Sequence, residues 1–348
     1  MTHATQLIYL AFGAATYQRE AVFSIVSALT QANRYKHTEP FDIRVLNDAP
    51  SFFDKLPAQT SAIDPSWAGP YRYPFRIKHM VLKDALQNRI KAAIIDTDRF
   101  FRELPAALFK RLAPGKLLRN AIGRPANKVP LLPRTMLARL EQAEPSLSTS
   151  RPTDSGVIGL VHSDRAVLER SITWMDELRP LPPELHTLEE PCLALAAHDR
   201  IELNARTDVI HHYWRRKAQL RAKVGAWLSK HNAASLSKEA MQDIPIISDR
   251  LPRPTQSCRS WQKLVTRWVP GERRQFIREL LQGCHTYPNE FDRGCTRGRT
   301  LIKALERLGR SLSLNALQAW LNNPRLKMLA GNRYPALHSH ILARFTAY

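Results

Sequence analysis

Apolar positions in the first 215 residues switch repeatedly between two periods. QLIYLAF, residues 6–12, is a compact apolar and aromatic run that stops at Gly13, the mark of a buried strand. In REAVFSIVSALTQA, 19–32, Val22, Ile25, Val26 and Leu29 recur at three- and four-residue spacing, which is one face of a helix. FDIRVLND, 41–48, alternates and ends in Asn47-Asp48, predicting a second strand. FRIKHMVLKDALQN, 75–88, returns to the helical period, with Pro74 suited to a first helical position. KAAIID, 91–96, is a third strand. The order strand, helix, strand, helix, strand predicts a parallel α/β sheet with helices on both faces. Ligands of such sheets sit beyond the carboxyl ends of the strands. That edge holds Gly13–Tyr17, Asn47-Asp48, and Asp96 with Asp98.

Further along, residues 120–153 are rich in Pro, Ser and Thr and read as a long excursion or lid. GVIGLV, 156–161, predicts another strand and 164–177 a helix; PCLALAAH, 191–198, reads as helical and DVIHHYW, 208–214, as a strand. From about 215 onward WQKLVTRWV, RRQFIRELLQG, RTLIKALERLG and LNALQAWLNN look like basic amphipathic helices separated by Gly and Pro. No internal repeat is evident. The expected organisation is an α/β domain over 1–228 and a basic, mainly helical region over 229–348.

Composition changes this picture in one respect. The chain is 44% hydrophobic and 24% charged, ordinary for a folded protein, but its net charge is +21. Residues 211–348 hold 25 Lys and Arg against 8 Asp and Glu, whereas residues 1–210 hold 27 against 23. The imbalance suggests that the second region faces something anionic. Cys192, Cys258, Cys284 and Cys295 are scattered without a disulfide framework or a C-x₂-C pair, so reduced thiols are expected and a zinc site is not. The start, MTHATQLIYLAFG, lacks the basic opening and cleavage site of a signal peptide, and no apolar run reaches 18 residues; a cytoplasmic protein is expected.

Candidate chemistry concentrates at IIDTD, 94–98. Two carboxylates straddling a tight turn after a buried strand suit a hard divalent cation. The same tripeptide also serves as an acid pair or a plain turn, since Asp is common there. A haloacid-dehalogenase-type phosphatase wants a small Thr or Val two residues after the second Asp; Phe100 stands there, and two strand–helix units come first.

Several short motifs in order resemble the nucleotide-sugar-dependent glycosyltransferases of the GT-A fold, especially the family-8-like retaining enzymes. These are IYLAFGAATY (8–17), FRIK (75–78), IIDTD (94–98), TDSGVIGL (153–160), EEPCLAL (189–195) and IHHYWRRK (210–217), so that the resemblance covers residues 6–217. It implies a GT-A-like, Rossmann-type mixed sheet flanked by helices, a UDP-sugar donor, Mn²⁺ or Mg²⁺ as cofactor, and a glycan or lipid-linked acceptor. Asp96 and Asp98 would hold the cation, Asp96 also reaching the ribose, with His211 or His212 as a third ligand. Neighbouring residues on a strand point opposite ways, so only one histidine can face the site. Phe12, Gly13 and Tyr17 would meet the nucleoside, although Tyr17 equally suits a plain helix entry. Arg76, Lys78 and Lys217, with Arg216, would neutralise phosphates, and Asp154 and Glu190 would stand near sugar or acceptor. Asp154 replaces the usual Asn, Pro191 replaces an amide, and the acidic pair of the first loop is missing.

The basic region has three readings. It is a solvated helical cap with Trp227, Trp261, Trp268 and Trp320 in its core, or a peripheral attachment to the anionic inner face of the cytoplasmic membrane. The third is a nucleic-acid-binding region beside an inactive GT-A-like domain, which no recognition motif supports.

Overall fold

The computed structural model describes residues 3–35, 39–122, 150, 151, 153–180, 187–205, 208–213, 216–231, 236–296 and 314–345, with isolated positions between 133 and 142. Two compact units are present, Met1–His212 with Ala234–Ile244, and Tyr213–Ala233 with Pro245–Tyr348.

The strands are β1 (Thr5–Ala11), β2 (Asp42–Asn47), β3 (Gln59–Ser61), β4 (Lys91–Ile95), β5 (Arg99–Phe101), β6 (Lys116–Ile122), β7 (Thr153–Val161), β8 (Glu202–Ala205) and β9 (Ile210–His212). The helices of the first unit are α1 (Ala15–Asn33), α2 (Arg76–Asn88), α3 (Pro105–Phe109), α4 (Ala166–Leu178) and α5 (Glu189–Ala197). Those of the second are α6 (Lys217–His231) and, after α7 (Lys238–Asp243) of the first unit, α8 (Gln256–Val265), α9 (Gly271–Cys284), α10 (Leu314–Leu321), α11 (Pro324–Ala330) and α12 (Tyr334–Phe345).

Seven strands form one sheet in the order β3-β2-β1-β4-β7-β6-β8, and β5 pairs with β9 in a separate two-stranded ribbon. Strands β3, β2, β1 and β4 are parallel, but β7 runs antiparallel to both β4 and β6. The sheet is therefore mixed and not all-parallel. The apolar run GVIGLV gives no hint of direction, because a strand buried on both faces carries no polar alternation.

Alternate residues of β1 show how the layers form. Ile8 packs with Leu46 of β2, Ile94 of β4 and Leu82 and Leu86 of α2, and the same cluster takes in Leu168 of α4 and Leu193 of α5. Tyr9 points the other way, where its hydroxyl meets Ser24 Oγ of α1 at 3.1 Å. The sheet thus carries α2, α4 and α5 on one face and α1 on the other. In α2 the buried positions Ile77, Val81, Leu82, Ala85 and Leu86 make a single stripe. The helix begins at Arg76, so Pro74 lies just outside it.

Strands β3, β5, β6 and β8 had no clear signal. In β6, KLLRNAI, Arg119 and Asn120 interrupt the apolar pattern, yet Arg119 is fully buried. The excursion expected over 120–153 lies largely outside the described residues.

The second unit is helical and has its own core. Phe276, Ile277, Leu280 and Leu281 of α9 pack with Leu321, Leu326, Leu337 and Ile341. Inside this unit the buried Lys223 ammonium lies 2.7 Å from Asp292 and donates to the Arg250 carbonyl at 2.9 Å. No described helix is long and apolar enough to cross a membrane.

Candidate active site

The mixed sheet brings five strands to one edge. Strands β1, β2 and β4 end there at Ala11, Asn47 and Ile95 in a common register. β6 runs parallel to β4 and ends there too, while β7, running backwards, begins there with Thr153, Asp154 and Ser155. The Asp96 N–H donates to the Gly156 carbonyl at 2.9 Å, so the ladder continues one step past β4 and fixes the start of the acidic turn.

Asp96 is held from below. The Lys78 ammonium, on a nearly buried side chain of α2, lies 2.7 Å from Asp96 Oδ1. Burial alone would lower the Lys78 pKa, but the charges of Asp96 and Glu189 outweigh it and hold it above its ordinary value. Lys78 therefore stays charged, and Asp96 has a fixed counter-ion. Arg76, two residues earlier, leaves the helix in another direction. Its Nε and Nη2 donate to Asp176 of α4 at 2.9 Å each, and Nη1 donates to the Trp67 carbonyl at 2.9 Å. A guanidinium so occupied ties α2 to α4 and to the 60s loop.

The two histidines of β9 diverge as their alternation requires. His211 stacks edge-on against Phe100, with centroids 5.2 Å apart, and Phe100 stacks on Phe23 of α1. His212 turns to the acidic edge. Its Nε2 lies 3.4 Å from Asp98 Oδ2 and its Nδ1 lies 4.0 Å from Asp154 Oδ2. The imidazole is thus set between two carboxylates that are 56 residues apart in sequence.

Asp154 accepts three hydrogen bonds. Its Oδ1 accepts from Arg99 Nη2 at 2.9 Å and from the Gly156 N–H at 2.8 Å, and its Oδ2 accepts from Asn120 Nδ2 at 3.0 Å. Burial by itself would raise its pKa; Arg99 and these hydrogen bonds prevail and hold it below the usual carboxylate range. Arg99 is 2% exposed and lies directly against Gly156, where a Cβ would come within 1.5 Å of Nη2. Glycine at 156 is therefore a condition for the Arg99–Asp154 pair.

Glu190 opens α5 and accepts from the Ser155 N–H at 3.0 Å. Ser155 Oγ lies 2.9 Å from Glu189 and 3.2 Å from Glu190. Burial, joined by the neighbouring Glu189 charge, raises the Glu190 pKa. Glu189 is fully buried and accepts from the Tyr73 hydroxyl at 2.7 Å. Behind these acids stands Arg119, whose Nη2 donates to the Thr153 carbonyl at 2.9 Å. Burial draws its pKa down to about 10 against the charges of Glu190, Glu189, Asp154 and Asp96. Its Nε and Nη1 find no acceptor among the described residues.

At the end of β1, Gly13 adopts φ +88°, a conformation that favours glycine. Its N–H donates to Asp48 Oδ2 at 2.7 Å, and Gln18 Nε2 donates to Asp48 Oδ1 at 2.7 Å. Tyr17 is 42% exposed beside this loop, whereas Phe12 is half-buried against the core. Lys217 begins α6, in the second unit.

The edge therefore unites Lys78, Asp96, Asp98, Asp154, Glu190 and His212, and it leaves Arg76 and His211 in structural contacts. It also recruits Arg99, Arg119, Ser155 and Glu189, which the motifs did not single out. Arg99 could have been suspected from its place directly after the acidic pair; Arg119 lies in a strand that gave no signal. Carboxylate and imidazole donors suit Mn²⁺ or Mg²⁺ in kind. Two donors at right angles on one such ion stand roughly 3 Å apart, for bonds of about 2.1 Å. The 3.4 Å between Asp98 and His212 fits that spacing. Among the described residues, no three His, Cys, Asp or Glu side chains gather as a ready cage.

No family model and no curated protein matches the sequence. Solved structures do match by shape. Mouse xyloside xylosyltransferase 1, in its apo form, shares 12% identity at a TM-score of 0.39, covering 59% of this chain and 84% of that one. The galactosyltransferase LgtC, in complex with donor and acceptor sugar analogs, shares 12% identity at a TM-score of 0.37, covering 55% of this chain and 69% of that one. Likenesses this distant carry no weight for the reading below, which rests on the side chains at the sheet edge.

Proposed function

We propose that the first unit is a metal-dependent glycosyltransferase that moves a sugar from a nucleoside-diphosphate sugar, with UDP as the nucleotide, to a hydroxyl of a glycan or lipid-linked acceptor. The observation that carries this reading is the meeting of Asp98 and His212 at 3.4 Å on the carboxyl edge of the sheet, with Asp154 behind the imidazole. Motifs separated along the chain converge there, in the order the sequence resemblance requires.

Asp98 and His212 would be the side chains that hold the cation, together with the donor diphosphate. When bound, Mn²⁺ or Mg²⁺ supplies Lewis-acid stabilisation of the charge that grows on the leaving diphosphate. Asp154, 4.0 Å from the other ring nitrogen, sets a negative charge on that side of the imidazole. Lys78 holds Asp96 in place and offsets its charge, which keeps the edge from repelling an anionic donor. Arg119 and Arg99 add fixed positive potential beneath the same point, and such pre-set charges stabilise a developing anion without reorganising. Tyr17, exposed beside the Gly13 turn, offers a flat surface to the base. The bond between the anomeric carbon and the phosphate oxygen breaks, its electrons leave on the diphosphate, and an acceptor oxygen takes its place. Glu190, whose pKa burial raises, is the group suited to take the proton that the acceptor hydroxyl gives up.

Calorimetric titration of UDP with and without Mn²⁺, on the wild-type chain and on Asp98→Asn, tests this. Metal-dependent binding that falls by about 10- to 100-fold in the variant is expected. Binding of no nucleoside diphosphate by the wild type, with or without metal, would sink the proposal.

A further inference from the structure

The tryptophans of the basic region do not share one fate. Trp227 is fully buried, as a helical cap would have it. Trp261 and Trp268 are 46% and 89% exposed, and Leu264 between them is 63% exposed. Trp261 and Leu264, three residues apart, share the outward face of α8, and Trp268 follows in the turn after it. The inward stripe is occupied in the usual way. Gln262 and Thr266 are buried, and Cys258 lies 3.6 Å from His285 Nδ1. The inward side of α8 is thus polar and already bonded within its own unit, and the apolar side chains Trp261 and Leu264 face outward.

Charge surrounds the stripe. From Leu251 to Gly271 there is no Asp or Glu, while Arg253, Arg259, Lys263 and Arg267 lie within that span. Two further guanidinium groups are drawn in from α9. Arg274 donates from Nε to the Val269 carbonyl and from Nη2 to the Arg267 carbonyl, both at 3.1 Å, and Arg278 Nε donates to Thr266 Oγ1 at 2.8 Å. They bond to the turn that follows α8 and fix positive charge beside Trp268.

We infer that the exposed apolar side chains Trp261 and Leu264 of α8 and Trp268 of the turn after it, among these Lys and Arg residues, dock onto an anionic lipid bilayer surface. Indoles settle at the headgroup level, an aliphatic chain enters the acyl boundary, and the basic side chains meet acidic headgroups. Leu264 decides against nucleic acid, because it offers a base no stacking surface and removes one where a run of aromatics would serve. A second copy of this face is disfavoured by like charge, since the same cations would meet across a two-fold axis. The inference is independent of the sugar-nucleotide proposal and stands or falls separately.

The experiment is sedimentation of the full chain with vesicles of phosphatidylcholine alone, and of two parts phosphatidylcholine to one part phosphatidylglycerol, at low and high salt. Binding to the anionic vesicles alone, weakened by salt, is expected. The double variant Trp261→Ala/Trp268→Ala should bind about tenfold more weakly, with unchanged circular dichroism and thermal midpoint. Lys263→Glu/Arg267→Glu should lose binding chiefly at low salt, and Ile90→Ser, an exposed position of the other unit, should change nothing. The inference is overturned if anionic vesicles fail to sediment the protein, or if the tryptophan variant binds like wild type. It is equally overturned if the face proves to mediate self-association, or if a single-stranded oligonucleotide displaces the vesicles at equal phosphate concentration.

Discussion

His211 and His212 are adjacent, identical in chemistry and opposite in use. One stacks on Phe100; the other stands between Asp98 and Asp154. Under the proposed function, His212→Ala abolishes the effect of Mn²⁺ on UDP binding. His211→Ala leaves that effect in place and costs about 1 kcal/mol of stability through the lost ring contact, measured by urea unfolding. Two other side chains of the edge make opposite statements about pH. Glu190 has a raised pKa, so the native state holds its proton more tightly than the unfolded chain does. Its contribution to stability is full below the ordinary value of 4.5 and is lost as pH rises through the higher native value. Asp154 is lowered, so its contribution is present above the ordinary 3.8 and disappears as pH falls through the native value. Glu190→Gln should therefore raise the thermal midpoint at neutral pH and flatten its decline between weakly acidic and neutral pH. Scanning calorimetry across pH checks this; a steeper decline in the variant would contradict the assignment.

At the scale of elements, the reversal of β7 is what assembles the site. Only an antiparallel strand between β4 and β6 delivers Asp154 and Ser155 to the edge where Asp96 begins its turn. The ribbon of β5 and β9 then folds His212 over them, with Arg99 paired opposite His212 in register. Gly156 is where these elements press closest. Gly156→Ala would put a methyl group into the Arg99 guanidinium and push it off Asp154. The expected cost is roughly 3 kcal/mol, since overpacking is joined by a buried cation that loses its partner. Chemical denaturation reads the stability and UDP titration reads the site; both should fall together. Arg76 shows the converse. Its spacing from Lys78 suggests a shared task, but two residues on a helix face different ways, and Asp176 on α4 claims it.

At the scale of the whole molecule, the charge divides as the chain does. At one sheet edge of the first unit Asp96, Asp98, Asp154, Glu189 and Glu190 gather beside Lys78, Arg99 and Arg119. In the second unit acids are sparse, and the outward stripe of α8 lies in a span that has none. The sequence alone determined the alternation of strands and helices, the position of the acidic turn at a strand end, and the excess of positive charge after residue 210. Each of these is a local property, written in periodicity, turn chemistry or composition. Tertiary structure alone decided the direction of β7, the burial of Arg99 and Arg119 inside strands that gave no clear signal, which histidine turns to Asp98, and which tryptophans stay outside. Those depend on what packs on the other side of each strand or helix. A pattern of apolar and polar residues shows that a side chain has a face to hide, and only the fold supplies the partner that hides it.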